Sequence, residues 1–245
     1  RVHLRTIDGD NKRSLSDVVV VRMDADTTAA KGSHQKLLEQ FGAADSAVLL
    51  GTQMIAKGLD FDDVTLVGVI NADTQLHLPD FRASERTFDL IEQVAGRAGR
   101  AELEGEVYVQ TYEADSVAIR AASVYDRDFF LRSELPKRRV LGFPPYVRMV
   151  NIIAWGRDLQ HVKRVIQQIY DTLESKIFEC DKTQWVLLPP SPCAFEKIRN
   201  DFRWHCILKA PHDEDVSAFL NEVFDKRQAD KFVNVAIDVD PLDLL

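Results

Sequence analysis

Four short apolar runs, Val18–Met23, Ala47–Leu50, Val64–Ile70 and Glu106–Thr111, constrain the first half of this chain more than any composition figure does. Helical periodicity fills two of the gaps between them, at about 32–41 and 84–98. Strands that alternate with helices predict crossover connections. Crossovers in turn predict a parallel sheet with helices on both faces, an α/β fold. The second half follows a different order. It starts with an apolar strand, Val147–Trp155, and a helix, Leu159–Ile177, whose inner face is Val162, Val165, Ile166, Ile169 and Leu173. Next come Trp185–Leu188, a Pro189-Pro190-Ser191-Pro192 turn and a strand over Arg203–Lys209. A helix near Asp215–Arg227 that buries Val216, Phe219, Leu220 and Val223 precedes a final strand alternating Val233, Val235, Ile237 and Val239. This β-α-β-β-α-β order is that of a ferredoxin-like split sandwich, a small α+β domain. The expected boundaries are a charged linker remnant at 1–17, a first domain at 18–115, a helical connector at 116–145 and a second domain at 146–245. Pro136 should kink or end the connector helix.

The octet Gln93-Val94-Ala95-Gly96-Arg97-Ala98-Gly99-Arg100 carries the densest chemistry. At about 100° per residue, Gln93, Arg97 and Arg100 share one helical stripe, while Phe88, Ile91, Ala95 and Ala98 gather on the opposite side. The polar stripe therefore faces away from the core. Gly96 and Gly99 remove bulk beside the arginines, although each costs roughly 1 kcal/mol relative to Ala within a helix. Close approach by a ligand or another lobe accounts for them; an arginine-capped helix end is the plainer reading.

A second block, Gly51-Thr52-Gln53-Met54-Ile55-Ala56-Lys57-Gly58-Leu59-Asp60, follows one apolar run and precedes another, so it reads as a connection leaving a strand's C-terminal edge. Ligands of open α/β sheets bind there. Thr52 offers a hydroxyl and an N–H to a phosphate, Lys57 a charge, Gly58 close backbone approach, and Asp60 an acceptor for a ribose hydroxyl. Upstream, Asp24, Asp26 and Thr27-Thr28 end the first strand in a polar turn that could line a DNA path but is better suited to capping the following helix.

Taken together, Q-x-x-G-R-x-G-R and the block before it resemble the sixth and fifth motifs of superfamily 2 helicases. GTQM-x-x-KG, Asp80-Phe81-Arg82-Ala83-Ser84-Glu85-Arg86, Arg138-Arg139 with Pro144-Pro145-Tyr146, and Asp238-Val239-Asp240-Pro241 are similar to the PriA family of primosomal replication-restart helicases. That resemblance implies a RecA-like helicase lobe 2 followed by a small C-terminal domain. It implies Arg100 as an arginine finger, Arg97 as a second phosphate contact and Gln93 as an orienting residue. Gly58, Asp60, Gly96 and Gly99 would lie beside the nucleotide, and Thr52, Gln53, Lys57, Arg138 and Arg139 would meet DNA. The implied activity is an ATP-dependent, 3′-to-5′ DNA helicase of replication restart. It would use ATP and Mg²⁺, with partners that are forked or single-stranded DNA, single-strand-binding protein and other primosome proteins. Another superfamily 2 motor, RecG-like or acting on RNA, and a non-enzymatic scaffold of lobe-2 shape are the rival readings.

Neither a phosphate-cradling G-x-x-x-x-G-K-[ST] loop nor its acidic Mg²⁺ strand occurs, so the chain reads as a fragment that hydrolyses no ATP by itself. Cys180, Cys193 and Cys206 have no zinc-knuckle spacing; the zinc that the resemblance implies would belong to an upstream segment. No apolar run approaches the roughly 18 residues of a membrane span, and a cytoplasmic protein is expected. The net charge of −8 argues against a dedicated nucleic-acid clamp. It is concentrated at the end, however, with nine acids against three bases over 211–245. Between Arg132 and Arg148 five bases face the single acid Glu134, with Phe143 and Tyr146 interleaved. That stretch reads either as a DNA-backbone contact or as a solvated hinge. Trp204, beside Arg203 and His205, reads as core rather than as a base-stacking platform, because strand alternation turns it away from both.

Overall fold

The computed structural model describes residues 18–23, 33–52, 64–96, 98, 105–225 and 227–244. The chain divides into two compact units. One holds the described residues through His77 together with Ser84–Phe130; the other holds Leu78–Ala83 and Leu131–Leu245.

In the first unit β1 (Val19–Met23) pairs in parallel with β2 (Ala47–Gly51), and α1 (Ser33–Gly42) makes the crossover between them. A second parallel pair joins β3 (Leu66–Val69) to β4 (Glu106–Val109). Among the described residues these are two separate two-stranded ladders. The short α2 (Asp73–Leu76) follows β3, and α3 (Ala83–Ala95) follows it. Next along the chain, α4 (Val117–Ser123) packs Ala118, Ile119, Ala121 and Ala122 against Phe88 and Ile91 of α3. The first half of the expected connector is thus part of a core. Its signal was the small and apolar residues Val117, Ala118, Ile119, Ala121 and Ala122, which Arg120 and the charged residues around them mask.

Asp73 pins this unit's β3–β4 exit. Its buried carboxylate accepts from the Thr111 hydroxyl at 2.6 Å and from the Tyr112 amide at 3.0 Å. The Thr111 hydroxyl bond, more than the amide, holds the carboxyl below the usual carboxylate range against the opposing cost of burial. Because the folded-state pKa is depressed, this contribution is present above the ordinary carboxylate pKa and is lost as pH falls through the lowered value. Asp73→Asn turns an amide N–H₂ toward a donor and is expected to cost about 1–3 kcal/mol. Chemical denaturation should show that loss at pH 7 and a flatter stability profile below about pH 4.

The helix α5 (Arg127–Leu141) continues through Pro136. Pro136 does not end it: the carbonyl of Arg132, which Pro136 leaves without its helical donor, belongs to an exposed residue that water can serve.

The second unit follows the predicted order. β5 (Arg148–Gly156), α6 (Leu159–Glu179), β6 (Val186–Ile198), β7 (Asp201–Ala210), α7 (Val216–Phe224) and β8 (Val233–Val239) give a four-stranded antiparallel sheet in the order β6-β7-β5-β8. Asp158 caps α6 by accepting from the His161 amide, and Asp215 caps α7 through Ala218. The five expected inner-face residues of α6 are all buried against Val150, Ile152, Ala154, Cys206 and Leu208. Pro189, Pro190 and Pro192 form no turn. They lie within β6, an edge strand, with register shifts between Leu188 and Ser191 and between Pro192 and Lys197. An edge strand tolerates residues that lack the N–H a central strand needs.

Trp204 packs on the helical side of the sheet, with its Nε1 lacking an acceptor among the described residues and the Lys163 ammonium 4.4 Å from its ring centre. It is a core residue. Burial raises both inner thiols, Cys206 to about 12, so neither is a nucleophile at neutral pH.

A candidate ATP-coupling and DNA-contact site

The helix α3 begins in a stretch whose acids and Arg86 favour solvent, and it buries one stripe. Phe88, Ile91 and Ala95 are each no more than 3% exposed, whereas Gln93 is exposed. Phe88 stacks on Phe130 at 4.7 Å, and Arg127 closes the opposite edge through Asp89 and Glu92. Gln93 thereby lies on the outer stripe, as the periodicity requires.

The helix ends sooner than periodicity suggests. Gly96 leaves it as a turn, its amide still reaching the Glu92 carbonyl at 2.9 Å, and the amide of Ala98 reaches the Ala95 carbonyl at 3.3 Å. Ala98 is therefore beyond the described helix and only half-buried. A Cβ at Gly96 would meet nothing closer than the Glu92 carbonyl at 3.4 Å. No crowding within the described chain demands glycine there. Arg97, Gly99 and Arg100 lie outside the described residues.

Thr52 is exposed one residue past β2, at the C-terminal end of a parallel strand, where a strand-to-connection exit should be. Gln53, Lys57, Gly58 and Asp60 lie outside the described residues, as do Asp24, Asp26, Thr27, Thr28 and the segment 1–17.

The basic pair at the end of α5 separates in role. Arg138 is not a surface cation: it is 8% exposed, its Nε donates to Glu134 at 3.2 Å, and its guanidinium lies 5.5 Å from the Phe81 ring centre. A side chain already committed to a carboxylate and a ring has little left for a phosphate. The Glu134–Arg138 spacing of one helical turn was the available sign. Arg139 is exposed beside Tyr146, with the guanidinium 5.8 Å from the ring centre.

Residues 5–102 match the model of the helicase conserved C-terminal domain, and residues 139–242 match that of the primosomal protein N C-terminal domain. The chain is 39% identical over 230 residues to the replication restart protein PriA of Bacillus subtilis (strain 168), covering 93% of this chain and 28% of that one. It is 36% identical over 222 residues to PriA of Chlamydia pneumoniae, 91% and 29% of the two chains. With PriA of a Synechocystis strain it shares 37% identity over 232 residues, 95% and 27%. The chain belongs to the PriA family. It spans under a third of the length of these relatives. Its first unit is the RecA-like lobe of the helicase C-terminal model, and its second is the small antiparallel-sheet domain that follows in PriA proteins.

The PriA stretches outside the helicase motifs meet in one place within the second unit, which reading them separately does not reveal. Phe81 stacks on Phe143 with ring centres 5.2 Å apart and planes 6° from parallel. Lys209 sits 4.0 Å from the far ring of that stack and donates to the Leu141 carbonyl at 3.0 Å. Asp80 accepts from its neighbour Arg82 at 2.7 Å and from the Leu244 amide at 3.0 Å, while Arg82 donates to the Leu242 carbonyl at 3.2 Å. Asp240 holds Arg148 at 2.7 Å. Phe81, Phe143 and Lys209 were absent from the expected site because their meaning depends on contacts more than 60 residues apart.

Proposed function

We propose that this chain is the second motor lobe and C-terminal domain of an ATP-dependent DNA helicase that restarts replication at stalled forks, moving 3′ to 5′. The name that the PriA relatives carry, replication restart protein, supports the setting. The observation that carries the motor reading is the geometry of α3: a buried inner face, Gln93 exposed on the outer one, and an uncrowded glycine where the helix ends. Gln93 on the exposed face, with no side chain at Gly96 beside it, fits a triphosphate held mainly by another lobe. Bound ATP with Mg²⁺ supplies the phosphoryl group and its developing charge. Arg100 would neutralise that charge, Arg97 would hold a second phosphate oxygen, and Gln93 would orient the attacking water. Gly58, Asp60, Gly96 and Gly99 would allow close approach around the nucleotide. Thr52, Gln53 and Lys57, with Arg139, would grip the DNA backbone, and alternation of that grip with lobe closure would move the strand. Forked or single-stranded DNA, single-strand-binding protein and other primosome proteins are the proposed partners. Zinc would be bound by a segment outside this chain.

The division of labour has a direct test. The 245-residue chain is expected to show no DNA-stimulated ATP hydrolysis above background. A protein joining it to the rest of a PriA sequence should hydrolyse ATP and separate forks that offer a 3′ single-stranded track. Turnover by the chain alone, or unwinding only from a 5′ track, would overturn the assignment.

A further inference from the structure

The two edges of the four-stranded sheet are built differently. β6, at one end of the order β6-β7-β5-β8, carries Pro189, Pro190 and Pro192 and two register shifts, devices by which edge strands avoid pairing with other chains. β8, at the other end, has no proline and keeps an unbroken register with β5 from Val233 to Val239. Among the described residues it pairs with nothing else. The Asp240 amide donates to the Met149 carbonyl at 2.7 Å, which makes these two a hydrogen-bonded pair and fixes the alternation along the ladder. Asn234, Ala236 and Asp238 therefore turn their backbone groups toward β5. Val233, Val235, Ile237 and Val239 turn theirs outward. The Val233 amide is occupied, donating to the Asp230 carboxylate at 3.0 Å. Val235, Ile237 and Val239 remain as a short open ladder.

We infer that β8 is a self-association edge, on which a second copy of this chain docks in antiparallel pairing about a two-fold axis at Ile237. This register uses every open group: Val235 of each copy faces Val239 of the other, and Ile237 faces its own counterpart, each pair exchanging both of its bonds. Slipping it one step toward the N-terminus would call on the Val233 amide already bonded to Asp230. Slipping it the other way would set Asp238 against Asp238, and like charges directly opposite destabilise a strand pair. With the axis at Ile237 both acids meet neutral residues, Asp238 opposite Ala236, and Asp240, held by Arg148 at 2.7 Å, opposite Asn234. The apolar side chains share this symmetry. Ile237, 37% exposed, lies on the same face as Val235 and Val239, which pack on the core, so Ile237 against Ile237 continues an apolar row across the axis. Phe232 and Leu242, each 74% exposed, lie just before and just after the strand. Antiparallel pairing brings the Phe232 of one copy to the same end as the Leu242 of the other. Because the same patch serves both copies, the pair closes on itself as a dimer. Its formation does not depend on the motor reading above.

Sedimentation of the 245-residue chain over a dilution series is expected to show a monomer–dimer equilibrium. The paired edge is short and falls at the small end of interfaces, so the dimer should come apart at about micromolar concentration. Ile237→Asp sets two carboxylates opposite each other on the axis and should weaken association about tenfold, while an unchanged denaturation midpoint shows that the fold is kept. A cross-link reads the register independently, should that variant fold poorly. In a Cys180→Ser background, which removes the exposed thiol, Ile237→Cys should give a disulfide-linked dimer on mild oxidation, because the axis brings the two Cα atoms to about 5.5 Å. Asn234→Cys should not, since the two copies of that residue lie about 20 Å apart in this register. A chain that stays monomeric at about 100 µM overturns the inference. So does a dimer that Ile237→Asp leaves unchanged, or one that Asn234→Cys traps as readily as Ile237→Cys.

Discussion

Full-length protein carrying Arg100→Ala is expected to lose DNA-stimulated ATP hydrolysis by about 10³–10⁵-fold while binding single-stranded DNA nearly as the parent does. The factor corresponds to about 4–7 kcal/mol of transition-state stabilisation, more than any other single side chain of this chain should supply. The reason is the kind of charge involved. Charge develops on the γ-phosphoryl oxygens only as the reaction proceeds, so a guanidinium placed there stabilises the transition state far more than the bound nucleotide. Arg100→Lys should recover little, because a point charge on a flexible stem does not reproduce the planar fork. Gln93→Ala should have a smaller effect, since an orienting residue acts through the geometry of water rather than by neutralising charge. Steady-state hydrolysis at saturating DNA and a DNA titration without nucleotide separate the possibilities. If affinity for DNA and hydrolysis fall together, Arg100 is supporting the fold; if neither falls, the motif has been misassigned.

How far these elements were legible depends on whether their causes are local. Phe88, Ile91 and Ala95 follow the 3.6-residue period, and so do Val162 to Leu173; the structure buries all of them. The β-α-β-β-α-β order was legible because each strand is bounded by residues that stop it. The misreadings were of two kinds. Pro136 and Pro189-Pro190-Ser191-Pro192 were read by local preference, but an exposed carbonyl and an edge strand remove the penalty on which that preference rests. The surroundings of Arg138, Phe81 and Lys209 were not legible for the opposite reason: they are set by partners such as Phe143 and by the bonds of their neighbours to Leu242 and Leu244, far away along the chain. A sequence marks such residues as distinctive without saying what they touch.

Gly156→Ala is the substitution expected to harm the fold most for the smallest chemical change. Gly156 ends β5 where the chain turns into α6 within three residues, paired on one side with Phe202 and on the other with Val233. A Cβ built there would lie 2.6 Å from the Phe232 carbonyl oxygen and 3.5 Å from methyl groups of Val162 and Val233. The obstacle at 2.6 Å is backbone, so no side-chain rotation relieves it. Either β8 must move away from the centre of the sheet, or α6 must lift Val162 from a core in which it is wholly buried. Overpacking typically costs 1–3 kcal/mol, and a backbone obstacle puts this site at about 3 kcal/mol or more. Gly68→Ala is the internal control: it lies in β3 with nothing within 4 Å of its Cβ position, so the change should be neutral or raise stability by up to about 1 kcal/mol. Denaturant unfolding of the 245-residue chain reads both. Equal behaviour of the two variants would mean that the β5–α6 junction gives way freely and that the close approach at Gly156 does not hold the C-terminal domain together.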